Sequence, residues 1–395
     1  MGAGRVTYHV VFYCPDRHIM YDGRTPDRVG VGGGITARVR MARALRRLGH
    51  RVTMVVNCTR AATIDGVDYR PLDTVHRLEG DVLILNTSGG DLDLSPVPAL
   101  DTEARLRVVW VQGTTSPAGL ETVGFDVLYA VSNFIAGVAA KGWGVSRGRI
   151  FVAYNPFEEA DFAGAERRRP KRDPYRLVYF SHPSKGLEAA VNVLRRLRAA
   201  DDRFHLVVCG GPRLWGQPET DLHQEEGMSY LGLLGQRELA GELLRCGFSL
   251  HLQARQEPGA LAIPDAMRAG CVIIGSPVGC YPEYVRSGHD GFLVPGDHTS
   301  EETRAAATAT ILGLVRNPDL SEVTRRNARA VIWDSDTMAR VWTAHWAWLL
   351  ESSRGPADAA PGPCPRCGGE SLTLEDGHHC TRCSFYSKRA DEAVL

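Results

Sequence analysis

Apolar residues arrive along the chain in two alternating patterns. Residues 6–13 form a nearly unbroken run of strand formers, which predicts a strand buried on both faces. Over 37–48, Met41, Leu45 and Leu48 recur at helical spacing, and Gly49-His50 closes the predicted helix. Further short strands are predicted over 51–56, 82–85, 108–111, 127–131 and 150–153. Residues 158–174 break the alternation. They are polar, hold Pro170 and Pro174, and carry the run Arg167-Arg-Arg-Pro-Lys-Arg172, which reads as a solvated hinge near residue 165. A second block follows, with strands over 177–180, 205–209, 249–252 and 272–275 and helices over 187–199, 238–246 and 261–269. Strands separated by helices imply parallel sheets covered on both faces. Beyond Ser300 the chain reads as helical. Within 338–350, Val341, Trp342, His345, Trp346 and Leu349 make a stripe that must be buried. Residues 353–363, rich in Pro, Gly and Ala, read as a linker.

Composition narrows the class. At roughly 100–200 residues per domain, a chain of this length holds two or three domains. Apolar residues are 44% and charged residues 23%, the balance of a soluble globular protein. Lys+Arg and Asp+Glu both number 46, so a basic coat for nucleic acid or anionic lipid is not expected. No run approaches the roughly 18 apolar residues of a membrane span, and the N-terminus lacks a leader's layout. These features predict a cytoplasmic protein with reduced thiols. Cys14, Cys58, Cys209, Cys246, Cys271 and Cys280 then read as small buried hydrophobes. Only four lysines occur, Lys141, Lys171, Lys185 and Lys388, so each stands out.

Three segments suit anion chemistry. Gly30-Val-Gly-Gly-Gly34-Ile-Thr lies between the first strand and first helix, where glycines permit close backbone approach and free N–H groups attract anions. Glu257-Pro-Gly-Ala-Leu-Ala-Ile-Pro-Asp265 puts one acid in a loop and a second in the next helix's first turn, with backbone donors at Gly259, Ala260 and Leu261 between them. Acids flanking an anion-binding backbone suit a nucleotide sugar, with hydroxyls on either side of its phosphates. Lys185, in Ser184-Lys-Gly-Leu187, follows the first strand of the second block, where strand C-terminal ends gather ligands.

With these pieces in place the chain resembles the GT-B glycosyltransferases, and within them glycosyltransferase family 4. The likeness runs over residues 6–350. It rests on Tyr21-Asp-Gly-Arg-Thr-Pro with Gly32-Gly-Gly34, Val131-Ser-Asn, Asn155-Pro-Phe, Lys185-Gly-Leu, Cys209-Gly-Gly, Glu257-x7-Asp265-Ala-Met-x-Ala-Gly, and Val278-Gly-Cys-Tyr-Pro-Glu before Gly291-Phe-Leu-Val. The resemblance implies two Rossmann-like doubly wound domains with an interdomain cleft, and a retaining transfer that needs no catalytic metal. It implies a UDP- or GDP-sugar donor bound by Gly33, Gly34, Lys185, Glu257, Gly259, Ala260, Leu261 and Asp265. Lys185 and Glu257 would be the catalytic pair, with Gly32 and Gln112 on the acceptor side. The acceptor could be a specialised metabolite. The chain departs from the family at three places. Asp265 stands where a Glu is usual. Phe180 and Ser181 occupy the stretch that often holds an Arg, leaving Arg255 as a substitute cation. Gln112, in Trp110-Val-Gln112-Gly113, replaces a cleft His and is no strong base. These departures keep two other readings in view: a nucleotide-sugar 2-epimerase on the same architecture, and a degenerate donor-binding module. Asp91-Leu-Asp93 and Asp334-Ser-Asp336 match the D-x-D string of the other glycosyltransferase fold, but neither sits where that fold needs it.

The C-terminus carries Cys364-Pro-Arg-Cys367 and Cys380-Thr-Arg-Cys383, a C-x2-C-x12-C-x2-C spacing that brings four thiolates together for tetrahedral zinc. A segment this small depends on the metal for its stability, so the zinc is expected to be structural. His378 and His379 lie between the knuckles, and four cysteine ligands are expected. Mixed charges argue against a nucleic-acid role and leave a peptide or protein contact open. The expected division is thus 1–165 as the acceptor domain, 166–335 as the donor domain, 336–352 as a helix packing back on the first domain, 353–363 as a linker and 364–395 as a zinc ribbon.

Overall fold

Apolar runs buried on both faces build two parallel sheets. The computed structural model describes residues 6–88, 92–219, 224–330, 333–351, 364, 371–374, 377–380 and 386–388. Its first sheet holds β1 (His9–Tyr13), β2 (Arg51–Val56), β3 (Ala62–Ile64), β4 (Val67–Pro71), β5 (Arg77–Thr87), β6 (Asp101–Val111), β7 (Val127–Ala130) and β8 (Ile150–Val152), in the order β3-β4-β2-β1-β5-β6-β7-β8. All its pairings are parallel except the β3–β4 hairpin, turned at Asp65-Gly66, both at positive φ. The second sheet holds β9 (Asp173–Tyr179), β10 (His205–Cys209), β11 (Met228–Gly232), β12 (Cys246–His251), β13 (Val272–Gly275) and β14 (Gly291–Leu293), all parallel, in the order β11-β10-β9-β12-β13-β14. A third, antiparallel sheet is small: β15 (Ser371–Leu374), β16 (Gly377–Cys380) and β17 (Tyr386–Lys388).

The helices are α1 (Thr25–Arg28), α2 (Gly33–Arg47), α3 (Asn133–Gly142), α4 (Glu159–Arg167), α5 (Leu187–Ala200), α6 (Gln236–Leu243), α7 (Ala262–Ala269), α8 (Tyr281–Tyr284), α9 (Glu301–Arg316), α10 (Pro318–Arg329) and α11 (Ser335–Glu351). Among the described residues, no helix is long and apolar enough to cross a membrane. The chain divides into two compact units. Unit 1 takes the described residues of 1–23, 38–155 and 335–395; unit 2 takes those of 24–37 and 156–334. Residues 24–37, with the glycine-rich loop, therefore group with the second sheet.

In unit 1 the stripe on α11 is buried at Val341, Trp342, His345 and Trp346. The Trp342 ring meets Trp110 of β6 edge-on at 4.8 Å and Tyr129 of β7 at 5.1 Å, so this late helix completes the core over the first sheet. In unit 2, α5 buries Ala190, Val193, Leu194 and Leu197 at helical spacing against Leu206, Phe248 and Ile274 of the sheet and Ile311 of α9.

The structure corrects several expected elements. The helix expected from residue 37 begins at Gly33, so two of the contiguous glycines form its first turn. Residues 159–167, read as part of a polar hinge, form α4. Arg172, at the end of the basic run, is not merely solvated, because its guanidinium donates to the carbonyls of Cys246 and Ala269. Strands β3, β4, β11 and β14 were not expected. Of the six scattered cysteines, five are buried and Cys58 is half-buried. Burial pushes the thiols of Cys14 and Cys209 up to about 11 and about 12.

Candidate functional site

Strand order locates the site in unit 2. From β9 the chain builds outward through β10 and β11 on one side, then returns to β12 and builds through β13 and β14 on the other. The switch point lies between the C-terminal ends of β9 and β12, where open α/β sheets bind ligands. Lys185 follows the first strand and Glu257 the second. Tyr179, at the end of β9, donates its hydroxyl to the His182 carbonyl at 2.6 Å. The backbone then makes a single 3-10 turn over Pro183–Lys185 and passes through Gly186 at φ +100°. A side chain at Gly186 would collide with the Leu252 carbonyl oxygen, so only glycine lets this turn close over the end of β12. Lys185 Nζ consequently lies 2.7 Å and 3.0 Å from the two carboxylate oxygens of Glu257. Both side chains are largely buried, at 18% and 9% exposure.

The loop after Glu257 leads into α7 through Gly259, Ala260 and Leu261. The N-cap of α7 is Leu261, whose apolar side chain makes no capping hydrogen bond. Asp265 lies in the first turn, 5% exposed, with its amide on the Leu261 carbonyl at 3.2 Å. Beneath the Lys185–Glu257 pair, Gln253 donates from Nε2 to the Tyr281 hydroxyl at 2.5 Å, and its amide N–H donates to Ser276 Oγ at 3.0 Å. His251, at the end of β12, is fully buried, with Nε2 2.7 Å from Ser249 Oγ. Burial, and secondarily the Lys185 charge, lower its pKa to about 3, so it is neutral. Gln253 and His251 were not singled out from the sequence, and Tyr281 entered only as part of the Val278-Gly-Cys-Tyr-Pro-Glu motif.

Trp215 is a further residue that the sequence did not single out. It ends a short turn after β10 (Pro212–Trp215). The His182 ring stacks on it at 3.8 Å with an interplanar angle of 6°. His182 Nδ1 accepts from the Ser184 amide at 3.2 Å, which leaves Nε2 to donate to Gln217 Oε1 at 2.9 Å. Burial holds the His182 pKa below its ordinary value, and the charges of Lys185 and Arg255 push the same way. The Arg255 guanidinium lies 4.8 Å and Lys185 Nζ 5.6 Å from the Trp215 ring centroid.

The glycine-rich loop runs against the same region of unit 2. A Cβ at Gly32 would stand 3.0 Å from the Leu214 carbonyl oxygen, and one at Gly33 would stand 3.3 Å from Leu261 Cδ1. Gly34 continues the first turn of α2. The structure thus gathers Gly32, Gly33, Lys185, Glu257, Leu261 and Arg255 within one unit, linked through Trp215, Leu214 and Leu261.

Gln112 belongs to unit 1. Its amide exchanges two hydrogen bonds with that of Asn155, at 3.0 Å and 2.9 Å. The switch point of the first sheet, between β1 and β5, is filled by a polar plug. The buried Arg38 guanidinium is bound by Asp16 at 2.9 Å and 2.6 Å, by the Tyr21 hydroxyl at 3.1 Å and by Asn86. Protein groups thus occupy there the position that in unit 2 holds Lys185 and Glu257.

At the C-terminus Cys364 and Cys380 are buried, and Cys380 ends β16. Cys367 and Cys383 lie outside the described residues. Among the described residues, no group of three or more His, Cys, Asp or Glu is arranged to hold a metal ion.

Comparison with known proteins bears on this arrangement. Residues 175–313, the stretch that holds Lys185, Glu257 and Asp265, match the family model described as glycosyl transferases group 1. Among solved structures, AviGT4, a glycosyltransferase involved in avilamycin A biosynthesis, is similar at 19% identity and a TM-score of 0.61, over 87% of this chain and 98% of that one. Anabaena HepE in complex with UDP-glucose is similar at 17% identity and 0.60, over 87% and 100%. Sucrose-phosphate synthase from Thermosynechococcus elongatus gives 14% and 0.63, over 87% and 99%. The fold is that of the GT-B glycosyltransferases. Comparison with curated proteins returned no match.

Proposed function

We propose that the protein is a retaining glycosyltransferase that moves a sugar from a UDP- or GDP-sugar to an acceptor molecule. One observation carries the reading: an ammonium–carboxylate pair, Lys185 with Glu257, stands at the switch point of unit 2, its carboxylate on the loop that leads into α7. The match of residues 175–313 to group 1 glycosyl transferases and the UDP-glucose found in HepE support it.

In this reading Lys185 and the backbone amides of Gly259, Ala260 and Leu261 face the donor diphosphate. Charge grows on that diphosphate as the glycosidic bond breaks, and preorganised donors stabilise it without reorganisation. Glu257 accepts from sugar hydroxyls, and Asp265 accepts from the ribose. Gly33 and Gly34 border the donor, while Gly32 and Gln112 serve the acceptor side. His251, buried and with its pKa lowered to about 3, is too weak a base to take the acceptor proton. The transfer runs on the front face, with a donor phosphate oxygen taking the acceptor proton and no catalytic metal. We assign Cys364, Cys367, Cys380 and Cys383 to one structural zinc. Cys364 and Cys380 are both buried, and Cys380 ends a strand of the small antiparallel sheet, which fits such a site. A cytoplasmic location suits its thiol chemistry.

Calorimetric titration with UDP, GDP and their sugars, followed by product analysis with donor alone and then with candidate acceptors, tests the reading. Selective binding of one nucleotide sugar and transfer with retained anomeric configuration are expected. An epimerised sugar formed without acceptor would identify a 2-epimerase instead. Binding without any turnover would identify a donor-binding module.

A further inference from the structure

The pair that marks the site also limits it. Lys185 is the cation expected to hold the donor diphosphate, yet Glu257 already engages its ammonium through both carboxylate oxygens. An incoming phosphate must compete with that carboxylate. Arg255 is differently placed. It precedes Glu257 by two residues on the same loop and is exposed, and among the described residues no carboxylate pairs with it. Its guanidinium is nonetheless located, lying 4.8 Å from the centroid of Trp215. Trp215 is itself fixed by the parallel stack with His182, whose two ring nitrogens are bound by Ser184 and Gln217. His182 is held neutral, so it adds no charge to compete with the two cations around that ring. A guanidinium against an aromatic face keeps its N–H fork free at the edge, and that fork matches two phosphate oxygens.

The geometry points to Arg255 as the cation that first receives the donor diphosphate, with Trp215 as the residue that positions it. Lys185 then exchanges Glu257 for phosphate as the sugar reaches the carboxylate. This inference rests on the glycosyltransferase reading above and adds to it a phosphate contact on the loop after β12; on the loop after β9, Phe180 and Ser181 offer no cation. Exposure of Arg255 before binding also makes it the group that steers an anionic donor inward.

The test is calorimetric titration of the full-length protein and of R255Q, R255K and W215L with UDP, GDP and inorganic pyrophosphate, at low and moderate salt. Arg255→Gln is expected to weaken both pyrophosphate and the preferred nucleoside diphosphate about tenfold or more, as loss of a charge-assisted hydrogen bond does. It is also expected to flatten the salt dependence. Arg255→Lys restores the charge but not the fork, and recovers part of the loss. Trp215→Leu weakens binding in the wild-type background and has little further effect on R255Q, a non-additivity that a merely structural tryptophan would not show. Unchanged pyrophosphate affinity in R255Q, with the wild type binding normally, overturns the role of Arg255 and leaves the donor site standing. A loss confined to the nucleoside diphosphates overturns it as well, because the contact would then be to the nucleoside. Failure of the wild type to bind any of the three probes overturns this inference together with the reading beneath it.

Discussion

Lys185 and Glu257 are both largely desolvated, a cost that their mutual attraction offsets, so removing either charge strands the other. The two residues are therefore expected to respond in opposite directions to a nucleoside diphosphate that carries no sugar. Glu257→Gln removes the carboxylate that competes for the ammonium, so the bare nucleoside diphosphate should bind more tightly, by about tenfold. The same substitution should lower turnover of the sugar nucleotide, since the hydroxyl acceptor is weakened. Lys185→Ala should weaken the bare diphosphate and cut turnover about a hundredfold or more, the scale of losing one oxyanion donor. Lys185→Gln serves as a variant of nearly native volume. Equal weakening of the bare diphosphate by E257Q and K185A would mean that the pair is a structural tie. At this scale the sequence was informative wherever a residue type was rare or spaced. Lys185 is one of four lysines, and Glu257 and Asp265 are separated by a helix-start interval. Trp215, His182 and Gln253 could not be read, because their roles come from ring stacking and amide contacts between loops far apart in the chain.

Elements were legible where burial imposes a period. β1, β7 and β13 are buried nearly throughout, and such strands read as nearly continuous apolar runs. Among the helices, the start of α2 and the whole of α4 were misplaced for opposite reasons. Gly33 and Gly34 have poor helix propensity, yet the chain bends into α2 from Gly33 onward. The polar run 159–167 lacks an apolar stripe but buries Phe162 and Ala165, with Glu159 and Glu166 paired to Arg268 of α7. The stripe on α11 yields a prediction of its own. His345 stacks on Phe151 of β8 at 3.9 Å, and its Nδ1 lies 2.8 Å from the Tyr129 hydroxyl; the neighbouring His379 is a second ionisable ring. Burial, with a smaller contribution from His379, lowers the His345 pKa to about 3. The folded state therefore binds its proton less readily than the unfolded chain, whose histidine titrates near 6.5. The stabilisation is complete above pH 6.5 and is lost as pH falls from 6.5 towards 3, at up to about 1.4 kcal/mol per pH unit for this one group. Urea unfolding between pH 7.5 and 4.5 should show His345→Phe with a shallower dependence by about one proton, and a loss of about 1 kcal/mol at pH 7 from the missing bond to Tyr129. An identical pH slope in the variant would assign the acid sensitivity to other groups.

At the scale of the molecule, two parallel sheets followed from alternation and their double winding from the family resemblance, but the use of each switch point followed from neither. In unit 1 the position between β1 and β5 is plugged by Arg38, Asp16 and Asn86, whereas in unit 2 the equivalent position presents Lys185 and Glu257. Under the proposed function this leaves the second sheet to receive the donor, a distinction that depends on individual side chains and on no periodicity. The C-terminal segment bears on unit 1 in a way its spacing did not foretell. β8 is the last strand of the first sheet, and such edges are commonly covered. β16 brings the buried His379 ring to 5.8 Å from Phe151 of β8, and β15 lies against α11. A segment this short has too little apolar area to hold that position without a metal. Metal analysis should therefore find about one zinc per chain, as four thiolates require. Its removal by a chelator should do more than loosen a tail. With Phe151, His345 and the outer face of α11 uncovered, the main thermal transition of the whole protein should fall by about 5 °C or more, given that each kcal/mol moves a domain of this size by a few degrees. Truncation after residue 352 should reproduce the same fall and abolish the effect of the chelator. A main transition unmoved by both treatments would make the ribbon an independent appendage, with unit 1 complete at α11.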